Sequence, residues 1–257
     1  YSHQPHEPGR HGPDLCRDLV YRQGGLVPMK PDISDRRPIP ARHLVLVQKF
    51  ARRLAEAGIS PNQVSVFGLL VGVGSGLALA LTQHAVAIQR LLLVVAALFV
   101  VLRGFANMFD GMIAVENHRA TKTGALFNEI PDRISDAALF IGAGYAVGSH
   151  PALGFSAACM ALFIAFVRVV INNAGAPSDF GGIMAKQQRM FMVAAIAAWI
   201  GLTPTSWQPS FGHDGSYGLL AIGLLVICLG GVQTSVVRIR RAVRYLNATG
   251  VQVNGQH

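Results

Sequence analysis

The chain has 257 residues, 51% of them hydrophobic and 14% charged, with mean hydropathy +0.40. Its apolar residues gather into runs of roughly 20, the length a helix needs to cross hydrocarbon, so little chain is left for a soluble domain. The formal net charge of +9 sits in stretches without interleaved aromatic residues, which argues against a nucleic-acid partner.

Residues 1–40 are rich in Pro, Gly, His and charge and show no apolar periodicity, so a mobile tail is expected there. Its His3, His6 and His11 read as solvated residues rather than metal ligands. A trimmed N-terminus is expected, because residue 1 is Tyr. Over 41–58, Leu46, Val47, Phe50 and Leu54 recur at helical spacing, opposite Arg42, Lys49, Arg52 and Arg53. This predicts an amphipathic helix in the membrane interface, drawn to anionic headgroups. Gly58 is placed to end it in the left-handed conformation. Ser60-Pro61-Asn62-Gln63 then reads as a new helix start, with Ser60 as N-cap, Pro61 at the first helical position and Gln63 closing a capping box.

Six membrane spans are predicted, at about 64–83, 91–115, 124–147, 152–174, 189–203 and 216–237, within a domain covering 59–246. The first carries Gly68, Gly72 and Gly76 at intervals of four, a stripe that lets another helix approach closely. In the second, Arg103, Asn107, Asp110 and Ala114 share one face; in the third, Asn128, Asp132 and Asp136 do. Antiparallel arithmetic that sets Asp110 level with Asn128 sets Arg103 level with Asp136, about two turns deeper, so Arg103 and Asp136 are expected to pair. Arg168 lies in the fourth span and needs a partner or a wet cavity. The fifth and sixth spans read as packing helices, followed by a basic anchor of Arg238, Arg240, Arg241 and Arg244 and a short tail over 247–257.

Basic residues concentrate before the first span, at Arg119 and Lys122, at Lys186 and Arg189, and after residue 236. That is the positive-inside pattern of a multi-pass inner-membrane protein with both termini, and the site, on the cytoplasmic side. Cys16, Cys159 and Cys228 form no metal knuckle and no disulfide framework.

Carboxylates inside a bilayer are costly and mark functional sites. Asp110, Asp132 and Asp136, with the amides of Asn107 and Asn128, form an oxygen-rich set suited to a hard divalent cation, Mg²⁺ or Mn²⁺. Arg119, Lys122, Arg168, Lys186 and Arg189 supply cations for phosphate. Metal, phosphate and a lipid interface together point to phosphoryl transfer.

The stretch from Asn107 to Asp132 resembles the signature of the CDP-alcohol phosphotransferases, D-x2-D-G-x2-A-R-x8-G-x3-D-x3-D. The matching positions are Asn107, Asp110, Gly111, Ala114, Val115, Gly124, Asn128 and Asp132. The resemblance implies a six-helix membrane homodimer. It would transfer a phosphatidyl or other phospho-alcohol group from a CDP-linked donor, such as CDP-diacylglycerol, to an acceptor alcohol, releasing CMP. It also implies that the four aspartate positions hold a divalent metal pair and that Asp132 is the base. Gly111, Ala114 and Gly124 would line the cytidine pocket, and Lys186 and Arg189 would meet acceptor phosphate. Three positions depart from the signature: Asn107 and Asn128 replace aspartate, and Val115 replaces arginine. Two ligand charges are lost, and Asp136 and Arg119 stand nearby as substitutes.

Four other readings are open on the residues: a catalytically silent, lipid- or nucleotide-binding member of the family, an intramembrane prenyltransferase, a transporter, and a polar stripe that only glues two helices. The second lacks a further Asp-x3-Asp within the apolar runs, the third is disfavoured by clustering at one surface, and the last leaves the phosphate-binding cations unexplained.

Overall fold

The computed structural model describes the backbone of residues 19–22, 25–28, 45–116, 122–212 and 216–249, and the side chains of 47–113, 128–212 and 216–249. It falls into two units, Tyr1–Arg37 and Pro38–His257. In the first, β1 (Leu19–Arg22) pairs antiparallel with β2 (Gly25–Pro28), a hairpin for which the composition of the tail carries no signal.

The second unit is helical: α1 (Val45–Glu56), α2 (Pro61–Leu81), α3 (Gln89–Glu116), α4 (Lys122–Gly144), α5 (Pro151–Asn173), α6 (Lys186–Leu202) and α7 (Leu219–Thr249). The corner between α1 and α2 follows from local chemistry. Gly58 adopts φ +77°, its N–H donates to the Ala55 carbonyl at 3.0 Å, and the Ile59 N–H donates to the Leu54 carbonyl at 3.1 Å. Those two bonds are the Schellman pattern, which satisfies the last carbonyls of α1. One residue later Ser60 caps α2: the Gln63 N–H donates to the Ser60 hydroxyl, and the Gln63 side chain accepts from the Ser60 N–H at 2.8 Å. Ala51 of α1 is buried, Leu54 and Ala55 pack beside Val64, Ala106, Ile113 and Phe109, and the Phe50 and Phe109 rings lie 5.1 Å apart.

The principal helix contacts close a ring: α2 on α3, α3 on α6, α6 on α7, α7 on α5, α5 on α4, and α4 back on α2. One apolar core fills one end, with Leu79, Leu93, Phe140, Ala157, Val193 and Leu224 drawn from all six helices. Four helices are long and apolar enough to cross a membrane by length and composition, at Pro61–Leu81, Val86–Ile113, Pro151–Asn173 and Leu219–Thr249. This is a membrane protein built of helices. The six predicted spans are thus met in part. Glu129, Asp132, Arg133 and Asp136 make α4 too polar, and α6 has only 17 residues. The last helix also outruns its predicted end, running to Thr249: Arg238, expected in the basic anchor after the span, is buried within it and donates to the Gly181 carbonyl at 2.9 Å.

The α2 glycines have two uses. A Cβ on Gly76 would run into the Ala138 carbonyl, and one on Gly142 would run into the Gly76 backbone, so α2 and α4 touch main chain to main chain. A Cβ on Gly68 would meet the Arg103 guanidinium at 2.9 Å, and one on Gly72 would meet Ser135 and, at 3.3 Å, the Arg103 stem. The stripe therefore both brings α4 close and leaves a channel for Arg103. Gly76→Ala is expected to cost about 1–3 kcal/mol by forcing the helices apart. Gly104→Ala, on α3 with nothing within 4 Å of the new methyl, is expected to leave stability unchanged or slightly raised. Thermal unfolding in detergent compares the two; equal losses would refute backbone contact as the cause.

Candidate active site

The polar groups collect beyond the apolar core, where α2, α3, α4 and α6 converge. Asp110 on α3 is 3% exposed, accepts from the Ser65 hydroxyl of α2 at 3.2 Å, and accepts from the Gly111 N–H at 2.5 Å. Ser65 lies three residues before Gly68, on the same face of α2.

Asp132 on α4 is the hub. One oxygen accepts from Arg103 of α3 and the other from Lys186 of α6, the latter at 2.5 Å. Arg103 is 1% exposed. Its Nε donates to the Ser135 hydroxyl at 2.9 Å and its Nη1 to the Asn107 side-chain carbonyl at 2.6 Å. Ser135 in turn donates to the Asp132 carbonyl at 3.1 Å. The guanidinium is therefore spoken for on all three nitrogens, as a buried arginine requires. Pro131, immediately before Asp132 inside α4, has no N–H to give the helix ladder.

Arg103 thus pairs with Asp132 and not, as expected, with Asp136. The level arithmetic is met at the backbone, since Arg103 Nε reaches Ser135, next to Asp136 in sequence. The head group, however, runs up the helix toward Asn107, about one turn nearer the polar end. Asp136, 2% exposed, instead faces Lys186 at 3.3 Å, and both its carboxylate oxygens are buried without a hydrogen bond among the described residues.

Arg168 finds its partner on α4: its Nη2 donates to Glu129 at 2.8 Å, and its guanidinium lies 5.4 Å from the centre of the Phe180 ring. Glu129 also pairs with Arg133 at 3.3 Å, and Arg133 lies 3.8 Å from Asp132. Arg189 is buried and donates to the Met184 carbonyl at 3.1 Å, which ties α6 to the loop before it. Asn128 is half-buried. Arg119 and the side chains of Ala114, Val115, Lys122 and Gly124 lie outside the described residues. The sequence reading passed over Ser65, Ser135, Glu129 and Arg133. Glu129 and Arg133 were legible as a pair at an interval of four within the central polar stretch.

The carboxylates Asp110, Glu129, Asp132 and Asp136 stand among the cations Arg103, Arg133, Arg168 and Lys186, so the cluster is formally neutral by itself. That bears on the expected divalent pair. No group of three or more His, Cys, Asp or Glu side chains among the described residues is close enough to hold a metal ion. Both Asp132 oxygens face side-chain cations, and the Asn107 carbonyl faces a third donor. Two carboxylates would suit a metal: Asp136, whose oxygens are unbonded among the described residues but face Lys186, and Asp110, which meets only the Ser65 hydroxyl and the Gly111 N–H. The donor set in this arrangement does not fit a divalent pair.

Comparison with known proteins identifies the fold and the class. The family model for CDP-alcohol phosphatidyltransferase matches residues 58–232. The chain belongs to the CDP-alcohol phosphatidyltransferase family, and is thereby a membrane transferase of phospholipid biosynthesis that draws on a CDP-linked donor. It is similar to the phosphatidylinositol phosphate synthase of Mycobacteroides abscessus, at 27% identity over 63% of this chain and 72% of that one. It is also similar to the synthase of that name from Streptomyces avermitilis, at 27% identity over 74% and 75%. The solved phosphatidylinositol phosphate synthase of Mycobacterium tuberculosis with CDP-DAG bound shares the fold, with TM-score 0.61, 22% identity, and coverage of 77% of this chain and 94% of that one. The same enzyme has been solved in complex with manganese and citrate, with TM-score 0.60 and 23% identity over 76% of this chain and 88% of that one.

Lys186 holds two buried carboxylates, so Lys186→Met is expected to destabilise by about 3–5 kcal/mol. Adding Asp136→Asn to that variant is expected to recover part of the loss, because one uncompensated charge is removed. A double-mutant cycle on thermal unfolding measures the coupling; additive losses would mean that Lys186 and Asp136 do not interact.

Proposed function

We propose that the chain transfers the phosphatidyl group of CDP-diacylglycerol to a phosphorylated polar alcohol of the inositol phosphate class and releases CMP. The observation that carries this reading is the placement of Asp132 between cations from α3 and α6, with Arg133 and Arg168 sharing the single carboxylate Glu129 beside it. Arg133 and Arg168 lie at the rim of the cluster, each 22% exposed, and can turn to a phosphate, which an arginine meets in a planar fork. The donor and acceptor classes are those named for the similar proteins.

In the reaction proposed, the acceptor oxygen attacks the phosphorus that carries the diacylglycerol. A new P–O bond forms there as the P–O bond to CMP breaks, and CMP leaves with its electron pair. The acceptor proton passes to Asp132, the motif position read as the base. Arg103 and Lys186 orient that carboxylate, and fixed cations beside the reacting phosphate offset the charge that develops on its oxygens. Gly111, Ala114 and Gly124 are assigned to the cytidine side, and Arg119, Lys122 and Arg168 to the phosphate side; Lys186 and Arg189 are turned inward, to Asp132 and Asp136 and to the Met184 carbonyl. The proposed setting is six spans in the inner membrane as a homodimer, with α1 lying in the interface and both termini and the site cytoplasmic.

The test is CMP release from CDP-diacylglycerol with a panel of polar alcohols, inositol phosphate included, in Mg²⁺, in Mn²⁺ and in EDTA. Release is expected with the phosphorylated alcohol, and Asp132→Asn is expected to lower it by about 10²–10⁴-fold. Binding of CDP-diacylglycerol with no release across the panel would instead mark a member that has lost turnover, and would refute this reading.

A further inference from the structure

We infer that the Arg103 guanidinium and the Lys186 ammonium take the place of divalent metal in this chain, so that its central carboxylates are held together without a bound ion. Three independent features of the site converge on this. Two of the four ligand positions of the signature, Asn107 and Asn128, carry no charge, and the Asn107 carbonyl oxygen already accepts from Arg103 at 2.6 Å. Of the two signature carboxylates, Asp132 gives one oxygen to Arg103 and the other to Lys186, while Asp110 accepts from the Ser65 hydroxyl and the Gly111 N–H. The cations are also built in rather than passing. Arg103 runs in a channel that exists because α2 has glycine at 68 and 72, and it is fixed at Nε by Ser135. Lys186 lies at the first position of α6 and is 6% exposed, between Asp132 and Asp136.

The charge pattern is internally consistent. Replacing two aspartates by asparagine removes two negative charges from the ligand positions. A site left with the carboxylates of Asp110, Asp132 and Asp136 needs fewer positive charges than two divalent ions supply. One guanidinium and one ammonium come close to what those three carboxylates require, and they need no ion from solution. Ligand charge also tunes the affinity of oxygen sites for hard cations, so the same asparagines that suit Arg103 weaken any competing ion. The consequence is a site whose geometry is set by folding and does not depend on divalent ion concentration. This inference deepens the transferase reading by assigning the cations of that site, but it stands or falls on metal binding and not on turnover.

The test uses the full chain purified in detergent micelles, with Mn²⁺ as probe and electron paramagnetic resonance reporting free Mn²⁺. Wild type is expected to show no saturable loss of the free-ion signal up to about 1 mM that Asp110→Asn removes, the range where weak oxygen sites lie. Its melting temperature is expected to be the same in Mn²⁺ and in EDTA. The triple variant Arg103→Met, Asn107→Asp, Asn128→Asp is expected to gain saturable Mn²⁺ binding and a melting temperature raised by the ion. The two asparagine changes with Arg103 retained are expected to bind at least about tenfold more weakly than the triple variant. Saturable binding in wild type that Asp110→Asn abolishes, or a wild-type melting temperature raised by Mn²⁺, overturns the inference. A folded triple variant that gains no binding overturns the role given to Arg103. If the triple variant does not fold, the wild-type titration and melts decide alone. Loss of CMP release in every condition, with no Mn²⁺ bound, would sink the transferase reading and leave this inference intact.

Discussion

The polar half of this protein depends on one constraint: a guanidinium buried at Arg103 must find acceptors for all its nitrogens without water. It finds them on three residues from two helices, and the choice of Asp132 among them sets the rest. With Arg103 on one oxygen of Asp132, the other is open to Lys186, and α6 is drawn in to close the ring at that end. Lys186 also faces Asp136, for which it is the one ion-pair partner among the described residues. A bundle with no hydrophobic driving force between its helices in lipid needs such contacts where its apolar packing ends. Here the contacts that hold α3, α4 and α6 together are the same ones that shape the site.

Much of the fold was legible because its signals are local. The left-handed glycine at 58, the Ser60–Gln63 capping box and the proline at 61 each act over three or four residues, and the helices, α7 with its extension to Thr249 apart, begin and end close to where these devices and the apolar runs place them. The number of spans was less legible. A run of apolar residues says that a helix avoids water, but not whether the charges within it face lipid or one another. Glu129, Asp132 and Asp136 turn toward countercharges on other helices, a fact of tertiary structure that composition along one helix does not carry.

The site was legible in its residues and less so in its pairings. Asp110, Asp132, Lys186 and Arg103 all stood out as ionisable groups in oily or loop-edge positions; Arg103, Asp132 and Lys186 do meet, while Asp110 bonds Ser65. The error over Asp136 has a plain cause. Reading levels along antiparallel helices treats each residue as a point on an axis, whereas an arginine side chain spans about a turn and bends toward whichever countercharge is available. Ser65 and Ser135 were missed because a serine in a membrane helix carries no sign of whether it bonds its own backbone or a neighbour. Across this protein both occur: the Ser235 hydroxyl donates to the Gly231 carbonyl of its own helix, while Ser65 reaches Asp110.

The contact between Gly76 on α2 and the Ala138–Gly142 backbone on α4 bears on how the bundle can breathe. Side chains that interdigitate can yield by changing rotamer; two main chains in direct contact have nothing to rotate. The α2–α4 pair is therefore a fixed jaw, with Asp132 mounted near one end of it. Across the bundle, Gly175 and Gly182 hold positive φ in the connection between α5 and α6, which Thr234 and Arg238 of α7 fix at Met184 and Gly181. Lys186 begins the helix that follows that connection. The residue that faces Asp132 and Asp136 is thus carried on α6, across the bundle from the main-chain contact of the helix that bears them.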